Sequence, residues 1–405
     1  MTTAPFRRVL VSGASIAGPT LAYWLHRRGF EVTVVEKAGA VRGGGYPIDI
    51  RGAALGVVDR MGLLPAVRAA HVDSRRITFL DADGSAVGAV SPESVSGGTG
   101  GDVELPRGAL TEVLHAAVQD DVDFRFGDTI ATLHDDGDGV DVTFVSGERR
   151  RFDLVVGADG LHSHTRALAF GPEEQFHRYL GYCFAGWTMP NEFGLDHEGV
   201  IWSVPGRAAV IYAVGGTDQV HGFLSFTRDD PPLDAFRDPR AQRELVAARF
   251  AGDDVWEVPR LVAAMQEADD VFFDVVSQIH MPRWSTGRVG LVGDAAHAPS
   301  FLSGQGSSLA LVGGYVLAGE LAAAPTYREG FARYERRLRD FVAQNQALAD
   351  GGRSVIVPRT ESDVARRDAA LREPDRTRIP TGDAVDRAAT ALELPVYPGA
   401  VDGAA

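Results

Sequence analysis

The stretch that most constrains the fold is an apolar strand, Val9-Leu10-Val11, that runs straight into Gly13-Ala14-Ser15-Ile16-Ala17-Gly18 and then into the helix-forming segment Thr20-Leu21-Ala22-Tyr23-Trp24-Leu25. Strand, glycine turn and helix in succession open a βαβ unit; Gly13 allows the tight turn and Gly18 lets helix and strand pack closely. The first helical N–H groups and the positive end of the helix dipole then face the same way, which suits a pyrophosphate. Ser15 stands where a second glycine is usual, so its hydroxyl can bond a phosphate oxygen while its Cβ tightens the approach. Glu36 follows the second strand, Glu31-Val32-Thr33-Val34-Val35, where an acid roughly 20 residues beyond the turn accepts hydrogen bonds from ribose hydroxyls and repels a 2′-phosphate. An unphosphorylated adenosine is expected there, with Lys37 among its neighbours.

A chain of 405 residues that is 45% hydrophobic can bury a large core and is expected to form two domains. Its formal net charge of −15 repels nucleic acid and acidic membrane surfaces alike, so neither is expected as a partner. A single cysteine, Cys183, excludes an intrachain disulfide and a thiolate metal cluster, and fits a reducing compartment. The longest apolar stretch, Leu309 to Ala324, is broken by Gly313, Gly314 and Glu320 and reads as a buried helix. Without a signal-peptide pattern at the N-terminus, the expected location is cytoplasmic, as a monomer or weak dimer.

The pattern is strand–helix–strand through Glu36, a glycine-rich crossing at Gly43-Gly44-Gly45, a helix from Gly52 to Met61, and a hairpin about Asp81-Ala82-Asp83-Gly84. Leu110 to Val118 has helical spacing, Val140, Val142 and Phe144 alternate, and Tyr182 to Phe226 is dominated by strands. Alternation of this kind predicts a nucleotide domain built from separated pieces, with a sheet domain inserted between them. Phe331, Tyr334, Leu338 and Phe341 share one face of a long helix, and the Arg- and Asp-rich tail from Pro358 is expected to be partly loose.

Two further strands end in a carboxylate beside small residues: Leu154-Val155-Val156 leads into Gly157-Ala158-Asp159-Gly160, and Val289-Gly290-Leu291-Val292 into Gly293-Asp294-Ala295-Ala296-His297. Such ends let a backbone approach a ligand while one acid takes a hydroxyl. Gly304-Gln305-Gly306 opens the helix beginning Ser307-Ser308, whose amides can stabilise negative charge on a reduced flavin.

These four motifs, in order and spacing from about Val9 to Ala318, resemble the class A flavin-dependent monooxygenases, the family of para-hydroxybenzoate hydroxylase. The wording Gly13-Ala14-Ser15-Ile16-Ala17-Gly18-Pro19 and Ser308-Leu309-Ala310-Leu311-Val312-Gly313 is most similar to the branch containing the tetracycline-degrading monooxygenases. The resemblance implies an α/β fold: a discontinuous Rossmann-like FAD-binding domain (1–73, 104–174 and 283–325), an inserted β-sheet substrate domain (75–103 and 175–282), and a C-terminal helix with a charged tail (326–405). It implies FAD, with NADPH (or NADH) docking without a Rossmann domain of its own. Arg42 is thereby associated with NADPH, Asp49 with FAD, Arg107 with the flavin diphosphate, Asp294 with the ribityl chain, and Asp159 with both FAD and NADPH. The chain departs from the family at Ser308 and Gly313-Gly314, where Asn and Asp-Ala are usual, and at Ser300, where a second proline would follow Pro299.

The implied reaction is hydroxylation of an electron-rich aromatic or polycyclic substrate by O2 through a flavin C4a-hydroperoxide, so the protein supplies geometry and dryness and no catalytic residue is firmly assigned. Candidate substrate contacts are Phe184, Trp187, Phe223, Phe226, Pro299 and Phe301, each of which would equally serve as plain core. His297 reads as a histidine bonding backbone at a strand end rather than a base, and His162 and His164 lack the further ligands a metal needs. A non-oxygenating reductase, a halogenase and a ligand-sensing flavoprotein are the competing readings. The halogenase is disfavoured because Gly186-Trp187-Thr188-Met189-Pro190 lacks that group's paired tryptophans.

Overall fold

The computed structural model describes residues 6–397, apart from 42, 44, 92–100, 216, 233, 236–237 and 374–381. Its central layer is a six-stranded sheet in the order 285–286, 289–291, 154–157, 8–12, 31–36, 123–126, parallel throughout except at the first pair. Strands that are apolar on both sides must be covered on both. Val9, Val11, Val34, Leu154 and Val156 pack in the core formed with the helices Ala17–His26 and Gly306–Ala323, while Leu10, Val35, Val155 and Val289 meet Val140, Val142, Phe144 and Phe152 of a three-stranded antiparallel sheet.

A second sheet of seven strands runs in the order 272–279, 177–190, 219–227, 207–213, 198–204, 76–80, 86–90. Its neighbours are antiparallel except 198–204 beside 76–80, which are parallel because the chain arrives from the first layer before the long central hairpins form. One face is covered by the helices Pro239–Arg249 and Val258–Glu267. The other turns toward the first layer. A short ribbon, Pro47–Ile50 with Val103–Pro106, connects the two.

Helix Gly306–Ala323 is long and apolar enough to cross a membrane, yet 78% of it is buried inside the protein. Its glycines explain how it fits: a Cβ on Gly314 would lie 3.0 Å from the backbone N of Leu21, and one on Gly313 3.1 Å from Val292. Gly314 is therefore the crossing point with helix Ala17–His26, and Gly313 lets the helix close on the strand end at Val292. The long helix Tyr327–Ala347 buries Phe331, Tyr334, Leu338 and Phe341, the aromatic stripe expected from their spacing.

The described part of the tail differs from the loose segment expected. Glu361–Arg372 is a helix closed by a capping box at Thr360 and Asp363, and its buried Arg367 reaches Asp368 and Ser203. The chain then returns to the first layer, where Tyr397 donates to Glu320 at 2.9 Å and Tyr315 donates to the Pro395 carbonyl at 2.7 Å. Long-range contacts by aromatic rings outweigh a polar local composition.

Candidate functional site

Three loop tips meet at the C-terminal ends of the parallel strands, where open α/β sheets bind ligands. Gly13 adopts φ +110°, and a Cβ there would sit 2.5 Å from the Ala158 carbonyl oxygen and 3.0 Å from the Asp159 Cα, so the first and second tips touch. A side chain at Gly18 would collide with the Gly13 carbonyl, which accounts for the last glycine of the turn. The third tip joins through Gly293, φ +64°, whose Cβ position is 3.0 Å from Ala17, and Asp294 lies beside Gly306 at the start of the buried helix. A cavity of about 620 Å³ lined by Arg8, Glu31, Asp123 and Arg150 opens at the opposite ends of the same strands, away from these tips.

Glu36 accepts from the amides of Ala14 and Ala38, each at 2.9 Å, one on each carboxylate oxygen. Each oxygen keeps a further lone pair for a ribose hydroxyl. Lys37, next to it, is exposed. Arg107 begins the helix Arg107–Ala116, donates to Ser15 Oγ at 3.2 Å, and its backbone N–H donates to the Tyr46 carbonyl. Ser15 and a guanidinium thus replace the approach a second glycine would give. Burial pushes the Asp294 carboxyl up, and the Arg107 guanidinium opposes that shift.

Asp159 is placed at the groove, next to Gly13. Its carboxylate accepts from Ser163 Oγ at 2.5 Å and from Thr165 N and Oγ1 at 2.9 Å each, which anchors the helix His164–Phe170. What borders Gly13 is its backbone. Gly160, with φ +85°, lets the chain turn away after it. Arg166, fully buried, ties this loop to the third by donating to Leu161 O at 2.7 Å and Ala295 O at 3.0 Å. Asp49 pairs with the buried Arg51 at 2.8 Å, and the Arg51 backbone N–H donates to Ser308 Oγ. Ser308, where the family has Asn, therefore holds the ribbon to the helix. Arg42 lies outside the described residues.

FAD fits this groove. Gly304 takes a left-handed turn, φ +64°, that brings Gln305 to the helix N-terminus. Gln305 is 1% exposed, and among the described residues both its Oε1 and Nε2 lack a hydrogen-bond partner. A buried amide left unmatched at both ends costs on the order of 1–3 kcal/mol per group, and the flavin pyrimidine edge, with its carbonyls and N–H, offers partners of both kinds.

Beside the groove, aromatic rings from the second sheet and from the turn at Phe301–Ser303 converge on Tyr46. Its ring lies 5.9 Å from Phe223, 6.5 Å from Phe272 and 5.7 Å from Phe301, and Phe184 stacks on Phe301 at 4.7 Å. Burial raises the Tyr46 phenol, Arg107 pulls it down, and Asp294 and Asp274 add to the rise. Phe184, Phe223 and Phe301 thus belong, with Phe272, to one aromatic cluster around Tyr46. Pro299 is buried above it, its carbonyl held by Gln278 Nε2 at 3.1 Å, and Ser300 takes φ +87° in the same loop.

Trp187 and Phe226 correct the sequence expectation, because they lie on the other face of the sheet. Trp187 sits over Gly222, where a Cβ would come 2.7 Å from its ring, and Phe226 meets Phe250 edge to face at 6.5 Å. Both belong to the core under the helices. His297, 1% exposed between Trp284 and Tyr334, is also core. Tyr46, Phe272 and Asp274 are the residues beside the groove that sequence reasoning missed, whereas Gln305 was expected within the Gly304-Gln305-Gly306 motif. The signal for Phe272 and Asp274 was their shared parity along one strand.

Comparison with known proteins agrees with this geometry. The model of the FAD binding domain family matches residues 7–349. The chain is 45% identical over 345 residues, 84% of its length, to the uncharacterized protein Rv1260 of Mycobacterium tuberculosis (strain ATCC 25618 / H37Rv), covering 92% of that protein. It is 36% identical over 393 residues to a flavin-dependent monooxygenase from an unknown prokaryotic organism, covering 96% of this chain and 99% of that one. The crystal structure of tetracycline destructase Tet(55) superposes with a TM-score of 0.84 at 33% identity, covering 97% of this chain and 100% of that one. On these matches the chain belongs to the FAD binding domain family and is an FAD-dependent monooxygenase.

Proposed function

We propose that the enzyme uses NADPH and O2 to hydroxylate an electron-rich aromatic or polycyclic substrate held among Tyr46, Phe184, Phe223, Phe272 and Phe301. The observation that carries this reading is the continuity of chamber and groove: Tyr46 touches three phenylalanine rings and, through its carbonyl, the N–H of Arg107. A polycycle of the kind named for Tet(55) matches a chamber whose walls are flat rings.

In this reading Glu36 takes the adenosine ribose, Ser15, the Ala14 region and Arg107 take the diphosphate, Asp294 takes the ribityl hydroxyls, and Gln305 with the Gly306 amides takes the pyrimidine edge. FAD, when bound, supplies the redox chemistry that activates oxygen. The chain's own residues orient and exclude water. Phe184 and Phe301 hold the target ring flat, and the loop from Pro299 to Gly304 closes the space beside it. We assign the first layer to cofactor binding and the seven-stranded sheet to substrate. A nicotinamide reductant and a buried Cys183 suit an intracellular reducing compartment.

The test is turnover of a polycyclic phenol with NADPH under oxygen-18 gas. One labelled atom in the product is expected. Product that forms without label would assign the enzyme to hydride transfer alone.

A further inference from the structure

We propose that Asp274 is the specificity-determining carboxylate of the aromatic chamber, accepting a hydrogen bond from a donor group on the substrate's edge, and that His162 is the residue that positions it. The proposal rests on the chamber being the substrate site.

Asp274 lies directly opposite Phe184 in the sheet register and two residues from Phe272, so it shares the chamber-facing side with both. Phe184 and Phe272 approach each other at 5.7 Å. Among the described residues both hydrogen bonds to its carboxylate fall on Oδ1, from His162 Nε2 at 3.2 Å and from the Val275 amide at 2.7 Å. Oδ2 accepts none. The side chain is 16% exposed, and it lies close enough to Tyr46 and Asp294 to act on both. A carboxylate oxygen left without a donor among aromatic walls is a site for an N–H or O–H.

The carboxylate is held by a chain of alternating charge. His162 Nδ1 faces Glu173 Oε1 at 2.7 Å while Nε2 faces Asp274, so both ring nitrogens meet acceptors and both must carry hydrogen. Glu173 pairs in turn with the buried Arg166, which is bonded to the Leu161 and Ala295 carbonyls. Asp274 is thus tied, through His162, Glu173 and Arg166, to the loops that carry Asp159 and Asp294. Burial works against charge on His162, but Asp274 and Glu173 outweigh it and push it up to about 9. The charged and titratable groups around it are Glu173, Asp274, Arg166 and the His177 ring at 6.4 Å, whose own ionisation burial lowers. Those around Asp274 among the described residues are His162, His177, Tyr46, Cys183 and Asp294.

Carbazole and dibenzofuran share one flat outline and differ in a single edge atom, an N–H donor against an oxygen acceptor, and neither titrates between pH 6 and ~10. Their binding to the FAD-loaded enzyme is read from the perturbed flavin spectrum. We expect carbazole to bind at least about tenfold more tightly at pH 7, the scale of a hydrogen bond to a charged group. Asp274→Asn should reduce the ratio to about threefold or less with FAD stoichiometry unchanged. His162→Gln should narrow it too, and should abolish the loss of preference that wild type shows as pH rises through about 9. Equal affinity for the two compounds in wild type, including no binding of either, overturns the proposal, as does a ratio undiminished in Asp274→Asn. Either result leaves the oxygenase reading standing, because oxygen-18 incorporation decides that separately.

Discussion

At the scale of single residues, His297 and His162 pull stability in opposite directions with pH. His297 is held neutral: burial between Trp284 and Tyr334 pushes its imidazole down to about 3, and its Nδ1 has no hydrogen-bond partner. An unfolded chain takes up that proton near the ordinary histidine value of about 6.5, so the contribution is whole above that value and is lost as pH falls toward 3. The slope is about 1.4 kcal/mol per pH unit for one proton. His162 is held charged, so its contribution is whole below about 6.5 and is lost as pH rises through about 9. Measured by urea denaturation at pH 7 and 5, wild type should lose stability relative to His297→Leu as the pH falls, because leucine has nothing to protonate and leaves Tyr334 bonded to the Leu291 carbonyl. A constant gap between the two would show that His297 is not the buried neutral group described.

At the scale of elements, the return of the chain end onto the first layer is a structural clasp. Tyr397 packs over Gly319 and 5.5 Å from Tyr315, and its hydroxyl reaches Glu320, which is 3% exposed and paired with Arg337 at 2.8 Å. Tyr397→Ala should cost about 3–5 kcal/mol, as for other buried rings, and Tyr397→Phe about 0.5–1.5 kcal/mol for the lost hydrogen bond. Equilibrium denaturation measures both; two values within ~0.5 kcal/mol of wild type would mean the clasp carries no load. The tail was not legible from its composition, since charged, proline-spaced sequence says nothing about a distant ring that will cover it. The strand tips were legible, because continuous apolar runs ending in Gly13, Gly157 and Gly293 leave few backbone alternatives. The chamber was legible only in part. Strand His177–Pro190 is buried on both sides from Leu180 to Trp187, so alternation cannot tell which parity faces substrate, and Trp187 and Phe226 were assigned to the wrong face.

At the scale of the whole molecule, the proposed FAD groove gathers residues separated by nearly 300 positions, with Gly13 and Gly306 at its two extremes in sequence. The seven-stranded sheet is inserted between them and supplies Phe223 and Phe272, which pack with Phe301 against Tyr46. Arg166 and the Asp49–Arg51 pair lock these pieces together, so cofactor binding should depend on tips from each of them at once. The most direct measurement is titration of flavin-free protein with FAD, for wild type, Gly13→Ala, Glu36→Ala and Asp294→Ala. One FAD per chain is expected for wild type. Affinity should fall by at least about tenfold in each variant, the loss of a hydrogen bond to a charged group or of the close approach at the turn. Wild-type affinity in Gly13→Ala and Asp294→Ala together would contradict a single groove built from these loops.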